Sequence, residues 1–394
     1  MMIRNDLNEF LIKKQQELIQ IRRSLHMFPE LSNKEHNTIN LISSQLRSEG
    51  ITQFSIYSSS LVVTFGPNHD SAIAFRADID ALPIEEESNH EYISQNSGIM
   101  HACGHDVHST ILLGLAFYLH KIENILKKPV KLIFQQSEEV IPSGAEMLVQ
   151  HGVLQDPKVE QIYGFHVWPK LSIGEVGVKP RNVMGGLDGI KITITSKDPP
   201  DESGVLGGID GIRIAAYFLS LAGNLMHGRR LTEEQPFTLS FGIINGGVRP
   251  NYFTRSVSIE GVIRFLDQES REMVKEKINK IILDVKNKYN AEIVLEILAD
   301  IRPILVNSDN CVDVLCRSLN PLTDIRVLML DTPLHASEDF GWYLQKTKGA
   351  YILLGSKSNN ATGHMLHTPL FNVDERVINL GVLALAKIAI DEAI

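Results

Sequence analysis

Between residues 189 and 298 the chain reads as strand, helix, strand, strand, helix, strand, and this block limits the possible folds more than any other feature. The strands fall at 189–195, 237–244, 256–265 and 291–298, and the helices at 209–226 and 268–289. That order is the ferredoxin-like split βαββαβ unit, which closes as a module of about 110 residues. The flanking pattern differs. Leu7, Phe10, Leu11, Leu18, Ile21 and Leu25 form one apolar stripe at helical spacing, ended by Phe28-Pro29. A second helix fits 37–49, closed by Gly50, and a third fits 107–122, with Val107, Ile111, Leu115, Leu119 and Ile122 on one face. Short apolar strands fall at 61–65, 72–76, 130–134 and 162–165. After the block come helix 311–319, strands 326–330 and 351–354, and helix 375–393. Strands alternating with helices predict an α/β layer around a largely parallel sheet. The expected organisation is an α/β domain in two parts, 1–184 and 299–394, split by an inserted domain at 185–298, with Gly185-Gly186 at the break.

Acidic residues outnumber basic ones 47 to 38, and the formal charge of −9 argues against nucleic acid as a partner. Three cysteines are too few, and odd in number, for a disulfide scaffold, so a cytoplasmic location is expected. The first residues lack the apolar core of a signal peptide, and no stretch approaches the roughly 20 apolar residues of a membrane span. No membrane partner is expected.

The densest group of reactive side chains is His101-Ala102-Cys103-Gly104-His105-Asp106-Val107-His108. Cys103 and His105 stand two apart, so an extended segment points both to one side. Thiolate and imidazole suit zinc, and imidazole also accepts other first-row metals. Asp106 could cap the following helix or orient a ligating histidine from behind. Glu138-Glu139 follows the strand at 130–134, at the mouth of the sheet where active sites collect. One carboxylate could bind metal while its neighbour handles protons. His166 follows the strand at 162–165, and His367 lies in the loop after 351–354. Singly, each reads as a solvated or core side chain. Together, Cys103, His105, Glu138, Glu139, His166 and His367 would fall on one rim, where five of them would suit two divalent ions about 3.5–4 Å apart, with the remaining glutamate as base. Cys311 and Cys316 read as core thiols. Glu338-Asp339 could support the site or cap a helix.

Several ordered segments resemble one enzyme family. They are Arg22 to Leu31, Arg76-Ala77-Asp78-Ile79-Asp80-Ala81-Leu82-Pro83, His101 to His108, Gln136-Ser137-Glu138-Glu139, Gly164-Phe165-His166, Ser337-Glu338-Asp339-Phe340 and His367-Thr368-Pro369. The chain is similar to the metal-dependent amidohydrolases that include hippurate hydrolases, N-acetyl-diaminopimelate deacetylases and auxin-conjugate hydrolases, relatives of aminoacylase and carboxypeptidase G. The resemblance implies a catalytic α/β domain holding two divalent ions (zinc, manganese, nickel or cobalt) on Cys103, His105, Glu139, His166 and His367. It implies that Glu138 takes a proton from water and returns it to the leaving amine. The inserted domain would be a lid and a homodimer contact, with Asn251 and Arg264 receiving the carboxylate of a small N-acyl amino acid. A dipeptidase, or a degenerate homologue with a sensing or assembly role, is the alternative. Where the wider superfamily has a metal-binding His-x-Asp, this chain has Arg76-Ala77-Asp78, so Arg76 cannot ligate. The branch also carries a Gly-x-Gly-Gly-His segment in the lid, whereas the corresponding stretch here, Ser196 to Ser203, has no histidine. Lys197, His227 and His335 are the nearby substitutes to consider.

Overall fold

The computed structural model describes residues 2–198, 208–225, 236–358 and 362–394. The chain divides into two compact units: Met1–Val183 with Val306–Thr332 and Asp339–Ile394, and Met184–Leu305 with Pro333–Glu338.

In the first unit eight strands form one sheet, in the order Ser55–Tyr57, Ser60–Phe65, Val130–Gln135, Ser71–Asp78, Lys158–Ser172, Lys348–Lys357, Glu175–Val178, Arg326–Met329. The four middle strands, Val130–Gln135 to Lys348–Lys357, are mutually parallel. Ser71–Asp78 and Val130–Gln135 are buried almost throughout, as strands covered on both faces must be. The sheet as a whole is mixed, not largely parallel. Ser60–Phe65 runs antiparallel to both its neighbours, and Glu175–Val178 runs antiparallel to Lys348–Lys357. The cause is connection length. Tyr57 pairs with Ser60 across a tight turn, and Glu175–Val178 reverses out of Lys158–Ser172 at Gly174, with φ of 85°. Links this short cannot make a parallel crossover.

Helices Met2–Met27, His105–Lys121 and Arg376–Ala393 pack together beside this sheet. The middle one is buried from His105 to Leu119, on all sides rather than along one stripe. Gly114 permits the close approach: a Cβ there would meet Val382 at 2.5 Å and Leu18 at 3.2 Å.

The second unit is a four-stranded antiparallel sheet, ordered Ala291–Arg302, Gly186–Ser196, Ser256–Phe265, Phe237–Gly246. Helices Gly211–Ala222 and Gln268–Lys288 bury Phe218, Val274 and Ile278 in its own core with Ile192, Ile194 and Ile259. Asp210 and Asp267 cap these helices, accepting from the Arg213 and Ser270 amides at 2.9 and 2.8 Å. The last strand runs past Leu298 to Arg302. Met226, at the end of the expected first helix, lies outside the described residues.

Candidate metal centre

The local backbone aims the reactive side chains. Gly104 separates Cys103 from His105 at φ of 86° and caps the helix that His105 begins. A Cβ at Gly104 would stand 2.5 Å from Val167, so only glycine fits. After Val130–Gln135 the chain turns at Ser137, with φ of 55°, its amide donating to Glu35 Oε1 at 2.8 Å. This turn presents Glu138 and Glu139. His367 also has positive φ, 62°, and its amide donates to the Ala102 carbonyl at 2.8 Å. Held, sparsely populated backbone of this kind collects at functional sites. His166 is not at a strand end, since its strand continues to Ser172. It reaches the rim because the neighbouring strand stops pairing at Arg76 and Gly164.

Six side chains meet here. Cys103 Sγ lies 3.3 Å from His166 Nε2 and 3.3 Å from His367 Nε2. Glu139 Oε1 is 3.3 Å from His367 Nε2 and 4.0 Å from His105 Nε2. Glu138, His105 and Glu139 offer ligand atoms within 4.8 Å of one another. A sulfur and a nitrogen sharing one tetrahedral zinc stand about 3.5 Å apart, given Zn–S and Zn–N bonds of about 2.3 and 2.0 Å. The observed separations match that span. His105 Nδ1 is hydrogen-bonded to Asp80 Oδ1 at 3.2 Å, and His166 Nδ1 to the Val167 carbonyl at 2.6 Å. With Nδ1 donating, Nε2 carries the lone pair in both rings. His105 Nε2 and Glu139 Oε1 are buried and make no hydrogen bond among the described residues. Buried polar atoms without partners are costly, and a divalent ion would satisfy both.

The remaining polar groups are structural partners. Asp80 is the main one not foreseen from sequence: besides His105, it accepts from Ser32 Oγ at 2.7 Å and from the Glu139 amide at 3.0 Å. The only sequence signal for it is its place two residues past Asp78. His108 spends both nitrogens, Nδ1 on Asp78 Oδ1 at 2.6 Å and Nε2 on the Val167 amide at 3.0 Å, so it is not available as a ligand. Arg76 is fully buried and bonds Asp78 and Asp339, each at 2.6 Å, and Gln135 at 2.8 Å. Asp339 therefore anchors Arg76, and also accepts from Gln135 and from the Ala145 amide. Asp106 caps nothing: Gly104 is the N-cap, and the carboxylate pairs with Arg22 and His26, each at 2.8 Å.

Burial, reinforced by Glu139, pushes the Cys103 thiol well above its ordinary range. Burial, with His108 beside it, holds His166 low and neutral. Burial alone would lower His105, but the Asp78 and Cys103 charges outweigh it and raise the imidazole. Burial would raise Asp78, yet His105 and Arg76 hold it well down. A cation among these ligands would reverse the thiol's balance, because a coordinating thiol is deprotonated.

Asn251 and Arg264 belong to the second unit, both exposed, Asn251 in a turn and Arg264 on Ser256–Phe265 opposite Thr238. Lys197 is exposed and 3.7 Å from Glu292, and His335 is exposed. Residues 199–207, which hold most of the stretch without the histidine, and His227 lie outside the described residues. Cys311 is buried, whereas Cys316 is only half-buried.

The chain as a whole has known relatives. Residues 74–391 match the peptidase family M20/M25/M40, and the chain belongs to that family. It is 32% identical to thermostable carboxypeptidase 1 of Saccharolobus solfataricus over 98% of this chain and 97% of that one. It is 33% identical to N-acetyl-L-cysteine deacetylase of Bacillus subtilis, over 95% and 87% of the two chains. Among solved structures, a Bacillus subtilis dinuclear metal-binding peptidase of the M20 family superposes with a TM-score of 0.81 at 28% identity, covering 96% of this chain and 99% of that one. The chain is a metal-dependent hydrolytic enzyme of the amidohydrolase type.

Proposed function

We propose that this enzyme cleaves the amide bond of N-acyl amino acids at a two-metal centre held by Cys103, His105, Glu139, His166 and His367. The observation that carries the reading is the pair of buried, unbonded atoms His105 Nε2 and Glu139 Oε1, facing each other at 4.0 Å beside the Cys103 cluster. Deacetylase relatives supply the substrate class. Divalent ions (zinc, manganese, nickel or cobalt) would polarise the amide carbonyl and make water a better nucleophile at neutral pH. Glu138 receives the proton of the attacking water and delivers it to the departing amine. Asp80 holds His105 by its ring and Glu139 by its backbone, keeping both fixed during turnover.

Asn251 and Arg264 are the proposed receivers of the substrate carboxylate, since a guanidinium suits that bidentate task. Arg264→Ala is expected to raise KM for N-acyl amino acids far more than for their carboxamides. Equal effects on both would remove Arg264 from this role. The same reading assigns the second unit as lid and homodimer contact, and the enzyme to the cytoplasm, with a small molecule as its substrate. No helix among the described residues is long and apolar enough to cross a membrane.

The substrate test is amine release by metal-reconstituted enzyme from N-acetyl amino acids, N-benzoyl amino acids and free dipeptides. Release from the N-acyl compounds is expected. Release confined to dipeptides would make the enzyme a dipeptidase. No release from any would favour a metal-binding homologue without catalysis. With no histidine in the stretch Ser196 to Ser203 to stabilise the oxyanion, turnover about 10²–10³ below fast family members is expected, the usual cost of one missing donor.

A further inference from the structure

His26, Glu86 and His90 form a second cluster that the proposed reaction does not use. Glu86 Oε1 lies 3.2 Å from His26 Nε2 and 3.0 Å from His90 Nε2, and these three atoms lie within 4.8 Å of one another. His26 and Glu86 are held from behind. Asp106 Oδ2 sits 2.8 Å from His26 Nδ1, the carboxylate–histidine arrangement that turns the opposite nitrogen toward a metal. The Ser94 amide donates to Glu86 Oε2 at 2.7 Å, which turns Oε1 toward the two imidazoles. Ser88 Oγ also bonds Oε1 and approaches His90 Nε2 at 3.0 Å. His90 stacks on Tyr92, with centroids 3.9 Å apart and planes at 17°. Its Nδ1 is buried and has no hydrogen-bond partner among the described residues.

Asp106 is neutralised by Arg22 at 2.8 Å, which leaves the Glu86 carboxylate facing two imidazoles. Burial would raise Glu86, but hydrogen bonds from His26 and His90 hold it far below the ordinary carboxylate range. It is therefore ionised at neutral pH. Both imidazoles point at a single oxygen, and that oxygen also takes the Ser88 hydroxyl.

We propose that His26 Nε2, His90 Nε2 and Glu86 Oε1 bind a divalent transition-metal ion at a site separate from the one at Cys103. Two imidazoles and a carboxylate form a donor set suited to zinc, cobalt or nickel, with a coordination position left for water. Hard ions such as magnesium, which demand oxygen ligands, would be excluded. His90 is the outermost member, its side chain 14% exposed against 1% for His26, and it gives the ion its way in.

The test is zinc uptake under excess zinc, by equilibrium dialysis and elemental analysis. The wild-type chain is expected to bind one ion more than His90→Ala, and one more than Glu86→Gln, while His90→Ala keeps its amine-release activity. Equal saturation of wild type and a folded His90→Ala would overturn the proposal. A second measurement needs no variant. Diethylpyrocarbonate should modify His90 in the metal-free protein, and zinc loading should protect it. Modification of His90 unchanged by zinc would also overturn the site. Loss of metal from Cys103 would not alter the difference between wild type and His90→Ala, so the two centres are tested independently.

Discussion

Glu138→Gln is expected to keep its metal and lose at least ~10²-fold in turnover, the usual scale for removing a general base. The substitution preserves volume and the carbonyl acceptor but removes the group that takes a proton. Glu138 is only 6% exposed, and its ligand-capable oxygen lies within 4.8 Å of those of His105 and Glu139. In the proposed reaction a carboxylate so placed would serve both the attacking water and the departing amine. Glu139→Gln should behave differently, because Glu139 Oε1 is the buried oxygen left without a hydrogen bond. Its first loss is metal affinity, and activity should return when more metal is supplied. Metal content and steady-state rates for the two variants separate the roles. Glu138→Gln with normal turnover would remove Glu138 as the base.

Arg76→Leu is expected to cost about 3–5 kcal/mol of stability, the range for breaking a buried ion pair from one side. Arg76 is fully buried between Asp78 and Asp339. Removing it leaves two carboxylates inside the protein without their cation. Asp78 also orients His108, whose Nε2 accepts the Val167 amide next to His166, so metal affinity should fall as well. An exposed pair gives the contrast: Lys121→Ala removes a partner of Asp6 whose side chain is 45% exposed, and should cost at most about 1 kcal/mol. Urea unfolding with and without metal measures both variants. An Arg76→Leu chain that unfolds like wild type would show that the buried pair adds no stability.

The sequence carries the helices and the central strands more clearly than it carries the polar connections. Helix Met2–Met27 is visible in its apolar stripe, and the central strands in their apolar runs. The spacing of Cys103 and His105, and the position of Glu138-Glu139 past a buried strand, suffice to place them on one rim. What local patterns cannot show is which distant group completes each bond. Arg76 and Asp339 are 263 residues apart, and Asp80 and His105 are 25 apart. Nothing in periodicity links them. Asp106 reads as a helix cap because it stands at a helix start, but Gly104 takes the cap position and the carboxylate finds Arg22 and His26. The antiparallel margins of the sheet are hidden for a related reason. Short strands such as Ser55–Tyr57, exposed throughout, have no apolar alternation to announce them.

The most direct measurement is amine release from an N-acetyl amino acid followed against bound metal per chain, as ions are returned to chelated enzyme. Metal-free protein should be inactive, and activity should rise with the first two ions and then level off. A third ion taken up at His26, Glu86 and His90 should add nothing to the plateau. Full activity in protein shown by elemental analysis to be free of metal would contradict the account.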